Sequence, residues 1–87
     1  MTDAKSAAVW ESIVLSFEEK LQYGFLEQAR AVVDVKVEGD ELKLTLATAE
    51  AYEFFASPVN QQRLILMSRP IVTLERIVAT KTEAEPL

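Results

Sequence analysis

Two runs of alternating aliphatic residues, separated by Gly39 and Asp40, constrain the fold of this chain more strongly than any other feature of its sequence. The aliphatic positions are valines before this pair and leucines after it: Val33, Val35, Val37, Leu42, Leu44 and Leu46. Because successive side chains of a strand point to opposite faces, a period of two on both sides of a Gly-Asp pair predicts an antiparallel β-hairpin with a two-residue turn. One face of this hairpin would be apolar and the other polar, so we expect helices to cover the apolar face.

An amphipathic helix is predicted before the hairpin, over about residues 5–22. Its apolar residues recur at three- and four-residue spacing, the pattern of a helix with one buried face. They are Val9, Trp10, Ile13, Val14, Phe17 and Leu21. Thr2 or Asp3 is expected to cap its start, and Gly24 is expected to take the left-handed conformation that ends it. A short second helix is predicted over residues 25–30.

A helix with a break and a third strand are predicted after the hairpin. Thr48 is expected to cap the helix, and a proline within the run predicts a break at Ser57, which would cap a second segment over residues 58–68. The residues expected to face inward from that segment are Val59, Leu66 and Met67. The last strand is predicted over about residues 71–80, with a bulge near Glu75 because its apolar residues do not share one parity.

These elements predict one α+β domain that spans residues 1–87, with an ordered part at about 5–80 and a frayed tail at 81–87. Their order is α-α-β-β-α-β, with the broken helix counted once. The three strands are expected to form one sheet with the helices packed on one face, a KH-like arrangement. A chain of 87 residues holds one core, because a domain of this size buries only about 60–65% of the surface exposed by its unfolded form.

The residues that carry most enzyme chemistry are missing, so we expect no catalytic, metal or cofactor site. The chain has no histidine and no cysteine, which removes the usual imidazole base, thiol nucleophile and zinc ligands. Its two glycines, Gly24 and Gly39, are assigned to a helix end and a hairpin turn, so neither belongs to a phosphate-binding loop.

Charge and hydropathy favour a protein partner in the cytoplasm over a nucleic acid or a membrane. The net charge is −5, and lysines and arginines stand singly along the chain, whereas nucleic-acid-binding domains cluster them. The longest apolar runs are far short of the about 20 residues that span a membrane. The first residues lack the basic and apolar regions of a signal peptide, and the absence of cysteine also fits a cytoplasmic protein.

Four aromatic residues are the candidates for contact with a partner, namely Trp10, Tyr23, Phe25 and Phe54. Trp10 either anchors the first helix in the core or stands partly exposed as a binding hot spot. Tyr23 and Phe25 either close the core at the helix junction or form a contact patch there. Phe54 either packs under the short second helix or is exposed for a partner. The two open edges of a three-stranded sheet also allow strand addition or homodimerisation.

The order of these features resembles a known family. The stretches that carry the resemblance are Val9-Trp10-Glu11-Ser12-Ile13-Val14, Leu26-Glu27-Gln28-Ala29, the hairpin, and Phe54-Phe55 followed by Pro58-Val59-Asn60-Gln61-Gln62-Arg63-Leu64. Together they resemble the small C-terminal domain of the tau subunit of the bacterial DNA polymerase III clamp loader, over roughly residues 9–78. The family usually has a glycine before the last strand, whereas residues 67–70 of this chain contain none. The ATPase part of a clamp loader is also absent from this sequence.

The resemblance implies a non-catalytic domain that tethers the polymerase catalytic subunit or the replicative helicase within the replisome. Helix one and the helix junction are the expected contact surface. Two alternatives stay open. The N-terminal domain of the replication initiator has the same order of elements, and it implies self-association or helicase recruitment through the same helical face. A KH-like single-strand nucleic-acid binder would need a Gly-x-x-Gly loop, which this sequence lacks.

Overall fold

The computed structural model describes residues 4–82 and has the predicted α+β class, with four helices and one three-stranded sheet. In chain order the elements are α1 (Ala4–Glu19), α2 (Tyr23–Ala29), β1 (Val32–Glu38), β2 (Glu41–Leu46), α3 (Ala49–Ala56), α4 (Pro58–Ser68) and β3 (Arg76–Lys81). The break expected in the third helical run therefore separates α3 from α4. The predicted order of elements is confirmed once these two helices are counted separately.

The sheet has the order β1-β2-β3, with β1 antiparallel to β2 and β2 parallel to β3. The predicted hairpin is confirmed: Glu38 pairs with Glu41, and Gly39 has a φ of 59°. A two-residue hairpin turn of the type that follows strand twist requires positive φ, which glycine adopts without steric cost. α3 and α4 form the crossover that parallel strands need.

The valine alternation is interrupted at Val33, which the sequence predicted to be buried with Val35 and Val37. The register between β1 and β2 shifts between Val32 and Asp34, and Val33 has no partner on β2. A bulge of one residue reverses the face on which the preceding side chains lie. Val32 consequently packs against the core, while Val33 is 58% exposed.

The core lies between the helices and one face of the sheet. Its buried apolar residues are Ile13, Phe17, Phe25, Ala29, Val35, Leu42, Leu44, Leu46, Ala51, Phe55, Leu64, Leu74 and Ile77. All three leucines of β2, the central strand, are fully buried. Each large side chain contributes roughly 1.5–3 kcal/mol by leaving water, and the ordering of the chain offsets most of the sum.

The first helix ends three residues earlier than predicted, at Glu19. Gln22 N donates to Phe17 O at 2.7 Å and Leu21 N donates to Glu18 O at 3.1 Å, the two bonds of a Schellman motif. Leu21, and not Gly24, takes the left-handed conformation, with a φ of 58°. The prediction for Gly24 is therefore wrong, since Gly24 lies inside α2. The predicted cap at Thr2 or Asp3 lies outside the described residues.

The start of α3 and the break before α4 follow the prediction, but the bonds at the break do not. Thr48 Oγ1 accepts the Ala51 N–H at 3.1 Å, which confirms the predicted cap. Ser57 separates the two helices, yet its side chain makes no capping bond. Asn60 Nδ2 donates to Phe54 O at 2.9 Å and Gln61 Nε2 donates to Phe55 O at 2.8 Å. These amides add hydrogen bonds to carbonyls near the end of α3, where a helix leaves its last C=O groups without the usual N–H four residues on.

The inward face of α4 differs from the prediction. Leu64 is fully buried, whereas Val59 and Leu66, both predicted to face inward, are exposed. Met67 is half-buried and packs against the core. A run of four apolar residues from Leu64 to Met67 covers more than one turn of helix, so its side chains cannot all reach the same core.

The last strand begins at Arg76 rather than near residue 71. The consecutive N–H groups of Glu75 and Arg76 both donate to Asp40 O, at 2.8 and 3.3 Å. This irregularity lets Leu74 and Ile77, three residues apart, both reach the core. The ordered part was predicted to end at about residue 80, but strand pairing with β2 continues further. Lys81 belongs to β3, and Thr82 N donates to Leu46 O at 2.9 Å. The rest of the predicted frayed tail, residues 83–87, lies outside the described residues.

Candidate interaction surfaces

Three of the four predicted contact residues belong to one aromatic cluster that joins α1, α2 and α3. Phe25 is buried, and its ring lies 4.9 Å from that of Phe54 in an edge-on arrangement. Trp10 lies 6.1 Å from Phe17 and 6.4 Å from Phe55, again edge-on. Such pairs contribute about 0.5–1.5 kcal/mol beyond the burial of their area. Phe25 is therefore a core residue that a partner cannot reach in this conformation, and Phe54 packs against the short second helix.

Trp10 and Tyr23 remain accessible, in different places. Trp10 is half-buried, and its exposed part lines a groove between α1 and β1. Tyr23 is 60% exposed at the junction of α1 and α2 and makes no ring contact with the aromatic cluster. The structure thus separates the four predicted residues into two internal ones and two on different surfaces.

The main exposed apolar surface is formed by residues that the sequence did not predict as contacts, and it includes Leu21 and Leu66, which were predicted to be buried and are exposed. We call it the helical patch, and it comprises Leu15, Leu21, Leu66, Met67 and Ile71. A depression of about 270 Å³ between α1 and α4 is lined by Leu15, Met67 and Ile71. A second, of about 200 Å³, is lined by Gln22, Leu66 and Met67. Met67 lines both depressions, so they adjoin each other between α1 and α4. Leu21 lines neither of them and is next in the chain to Gln22, which lines the second.

Sequence signals for this patch existed in two places. Leu15 lies off the apolar stripe of α1, so it could not be buried with Ile13 and Phe17. The four-residue apolar run at the end of α4 is too long for one helical face, as Leu66 shows. Both are cases of apolar residues in excess of what the core can bury.

Leu21 combines exposure with a conformation that is unfavourable for leucine. It is 66% exposed and sits at a left-handed position that helix ends usually give to glycine. For a residue with a Cβ atom this conformation costs about 1–2 kcal/mol. The cost is not compensated by burial of the side chain, because most of it faces solvent.

The two edges of the sheet differ in their access to a further strand. At β1, the Val37 N–H points away from β2 and donates to Ser6 Oγ at 2.9 Å. Ser6 is 1% exposed, so α1 closes this part of the edge. At β3, Arg76 and Thr82 donate toward β2, which directs the main-chain groups of Ile77 and Ala79 away from it. Within residues 4–82, β3 pairs with β2 alone, so no other described strand lies against its far edge at Ile77 and Ala79.

The outer face of the sheet carries charges that pair with one another. Glu38 contacts Lys43 at 3.1 Å and Lys36 at 3.3 Å, and Glu41 contacts Lys43 and Arg76, both at 3.8 Å. Hydrogen bonds from Lys43 and then Lys36 lower the pKa of Glu38 below its ordinary value. The bond to Glu38 likewise raises the pKa of Lys43. Lys36, Lys43 and Arg76 thus each contact a carboxylate within the chain.

In the described part of the chain, no three acidic side chains are grouped so that they could hold a metal ion. Residues 4–82 also contain no helix with the length and hydropathy required to cross a membrane. Comparison of the chain with protein-family models, curated proteins and solved structures gave no match.

Proposed function

We propose that this domain is a non-catalytic protein-binding module and that the helical patch is its docking surface. The observation that carries the proposal is Leu21, a large apolar side chain held in solvent at a strained backbone position. Strained positions persist where the surrounding structure enforces them, and they concentrate at functional sites. A glycine at this position would be more stable, so the leucine is best explained by a contact outside the chain.

The neighbouring residues support a partner with a complementary apolar surface. Leu15 is 58% exposed and Leu66 is 50% exposed, and both lie beside the depressions that Met67 joins. Lys20 and Arg63 also line these depressions. An apolar centre with a charged rim is the usual composition of a protein interface. Tyr23, at the helix junction, is a further exposed aromatic residue.

The resemblance to the tau C-terminal domain suggests which assembly the module serves. We propose that it tethers the polymerase catalytic subunit or the replicative helicase within a bacterial replisome, in the cytoplasm. The helical patch includes the end of helix one and the helix junction, the surface that the resemblance implies. No cofactor and no reaction are required for this role.

The test compares purified domain variants for binding to the purified polymerase catalytic subunit and replicative helicase of the same organism. Leu21→Gly relieves the strained conformation, so we expect the free energy of unfolding to rise by up to about 1 kcal/mol. Binding should weaken by about tenfold or more, because a central apolar contact is lost. Calorimetry of binding and thermal unfolding give the two quantities.

A variant that gains stability while losing affinity cannot be explained by poor folding. Val59→Ala is the matched control, since Val59 is an exposed aliphatic residue of α4 outside the helical patch. It should leave the affinity unchanged. Equal affinities for wild type, Leu21→Gly and Leu66→Ser would reject the helical patch as the docking surface, and failure of both partners to bind wild type would reject the replisome role.

Self-association is a second candidate, either through the helical face, as in the initiator-like alternative, or through the edge of β3 that pairs with no other strand of residues 4–82. Light scattering between about 10 and 500 μM tests it, since a weak dimer forms within that range. Single-strand nucleic-acid binding is less well supported. Lys36, Lys43 and Arg76 all engage carboxylates on the outer face of the sheet, which reduces the charge available to phosphates.

A further inference from the structure

The two adjoining depressions of the helical patch, which we call the furrow, lie between helices that run in opposite directions. One depression brings the middle of α1, from Ser12 on, against residues 70–71, which follow the end of α4. The other brings Gln22, just after α1, against Arg63 in the middle of α4. Late positions of α1 thus lie beside early positions of α4. Residues 12–19 alone cover about 10 Å at 1.5 Å per residue, which matches about two turns of a bound helix.

The N–H groups that border this furrow are already bonded within the chain. Those of Lys20, Leu21 and Gln22 donate to carbonyls of α1, the Ile71 N–H donates to a carbonyl of α4, and Pro70 has none. The other lining residues lie inside helices, where each N–H bonds to the carbonyl four residues before it. An extended peptide would bury its own backbone groups here with few partners, whereas a helix bonds them internally. A ligand that covers the exposed leucines is therefore expected to be helical.

The furrow also has cations that the described chain leaves unpaired. Its charged lining residues are Glu19, Lys20 and Arg63. Neither Lys20 nor Arg63 makes an ion pair within residues 4–82. Among the described residues that line the second depression, Arg63 alone is charged, so positive charge is greatest at that end. Acidic groups therefore complement this surface, although the net charge of the chain is −5.

We infer that the furrow binds an amphipathic helix of a partner protein, whose apolar stripe is bordered by aspartate or glutamate. Apolar side chains spaced at i, i+3, i+4 and i+7 enter the two depressions and cover Leu15, Leu66 and Met67. The carboxylates of this helix lie near Arg63 and Lys20. The inference rests on the proposed docking surface, and it deepens that proposal by naming the form and the charge of the ligand.

Three designed peptides of about 16 residues, a length at which isolated helices are marginally stable, test form and charge separately. The glutamate peptide carries leucine at four positions with this spacing and glutamate on both borders of the stripe. The lysine peptide has lysine in place of each glutamate. The proline peptide is the glutamate peptide with one central alanine replaced by proline, which breaks a helix. The full chain is titrated into each fluorescein-labelled peptide, and the fluorescence anisotropy is measured.

We expect saturable binding of the glutamate peptide, with a Kd of roughly 10–500 μM for a ligand of this size. The lysine peptide should bind about fivefold more weakly or less, because its charges meet Lys20 and Arg63. The proline peptide should bind about tenfold more weakly or less, because it cannot form the helix. Far-ultraviolet circular dichroism of the chain mixed with the glutamate peptide should show more helix than the sum of the separate spectra, since a short peptide gains helix on binding.

Two pairs of variants locate the binding. Leu66→Ser should weaken the glutamate peptide about tenfold, whereas Val59→Ser changes an exposed residue of the same helix outside the helical patch and should leave the affinity unchanged. Arg63→Glu should weaken the glutamate peptide and strengthen the lysine peptide, each by several-fold. Arg30→Glu alters the net charge equally at an exposed residue that lines neither depression, so it should change both affinities by less than about twofold. The effects of Arg63→Glu should shrink in high salt.

Equal affinities for the three peptides, or equal affinities of wild type and Leu66→Ser for the glutamate peptide, would overturn the inference. Self-association that Leu66→Ser abolishes would identify a second copy as the occupant, and binding of phosphatidylserine vesicles in place of the peptides would identify a membrane. Either result would also overturn it.

The outcomes separate this inference from the proposed function. If Leu66→Ser weakens binding of the replisome subunits while no peptide binds up to about 1 mM chain, the docking surface stands and its helical ligand is wrong. If the glutamate peptide binds as expected while neither subunit does, the replisome role fails and the inference holds.

Discussion

The outer face of the sheet and the helical patch differ in whether their exposed side chains have partners within the chain. On the sheet, Glu38 and Glu41 are each bonded to two cations of neighbouring positions, so the charges of this face are paired within the chain. On the helices, Leu15, Leu21 and Leu66 are half exposed or more, and no residue of the described chain covers them. The exposed charges of the sheet therefore have partners within the chain, whereas no described residue covers the exposed leucines of the helices.

This difference indicates which surface would give a binding partner more favourable free energy. Binding over a paired charge network must first break bonds that the chain already makes, and exposed ion pairs contribute little in return. Covering exposed leucines removes apolar surface from water at about 25 cal/mol per Å² and breaks no existing bond. The helical patch is therefore the surface on which we expect substitutions to alter binding without altering the fold.

The largest effect is expected within α4, where Leu64 and Leu66 stand two residues apart and face in different directions. Leu64 is fully buried and Leu66 is 50% exposed. Leu64→Ala leaves a cavity and should lower the free energy of unfolding by about 2–5 kcal/mol. Leu66→Ala should change it by no more than about 0.5 kcal/mol, as for other surface substitutions. Urea denaturation followed by circular dichroism measures both values.

Because both substitutions are leucine to alanine in one helix, helix propensity is the same in each. A loss above about 1.5 kcal/mol for Leu66→Ala would mean that Leu66 is packed, and the helical patch would then be smaller than described.

The next largest effect on stability is expected at Ser6, whose hydroxyl accepts the Val37 N–H at the edge of β1. Ser6→Ala leaves the Val37 N–H without its acceptor, and a buried donor without a partner costs about 1–3 kcal/mol. The substitution should also expose an edge that can pair with another chain. We therefore expect a lower unfolding midpoint together with self-association in light scattering.

Ser12→Ala is the matched control, because Ser12 is an exposed serine of the same helix. A loss of stability without self-association would show that the edge of β1 is protected by something other than Ser6, such as the bulge at Val33.

The sequence was sufficient to predict the hairpin, the leucine face of β2 and the break at Ser57, because each depends on neighbouring residues. Alternation and a Gly-Asp pair determine the hairpin locally, and Leu42, Leu44 and Leu46 are buried as predicted. The cap at Thr48 was predictable for the same reason, since the bond reaches only three residues along the chain.

The failures have a different physical origin, namely competition between local preference and packing. Gly24 is the better residue for a left-handed helix end, yet Leu21 takes that position because α1 must stop where α2 begins to pack Phe25 on Phe17. Val33 fits the alternation but is displaced by a bulge that no single strand reveals. The candidate residues were chosen as aromatics, and most aromatics of this small domain are needed for its core. The exposed surface consists instead of leucines that the core has no room to bury.

The smallest effect is expected on the outer face of the sheet, where the pKa of Glu38 is lowered by Lys43 and Lys36. A carboxylate with a lowered pKa in the folded state adds stability above its unfolded pKa, and this stability is lost as the pH falls through the folded value. The pKa of Lys43 is raised, so its contribution is present at neutral pH and is lost only as the pH rises through that raised value. Thermal unfolding of wild type and Glu38→Gln should therefore differ slightly near neutral pH, converge once the pH falls below the lowered pKa of Glu38, and converge at every pH in about 1 M salt.

Glu53→Gln, on α3, is the control because Glu53 makes no such ion pair in the described chain. If the difference between wild type and Glu38→Gln persisted in high salt or at low pH, Glu38 would stabilise the domain by packing rather than by charge. The stability contributed by the outer face would then come from packing as well as from paired charges. The difference between this face and the helical patch could no longer be attributed to electrostatics alone. Convergence under both conditions would support the distinction drawn above, in which the exposed leucines of the helical patch are the surface where a partner gains more binding free energy.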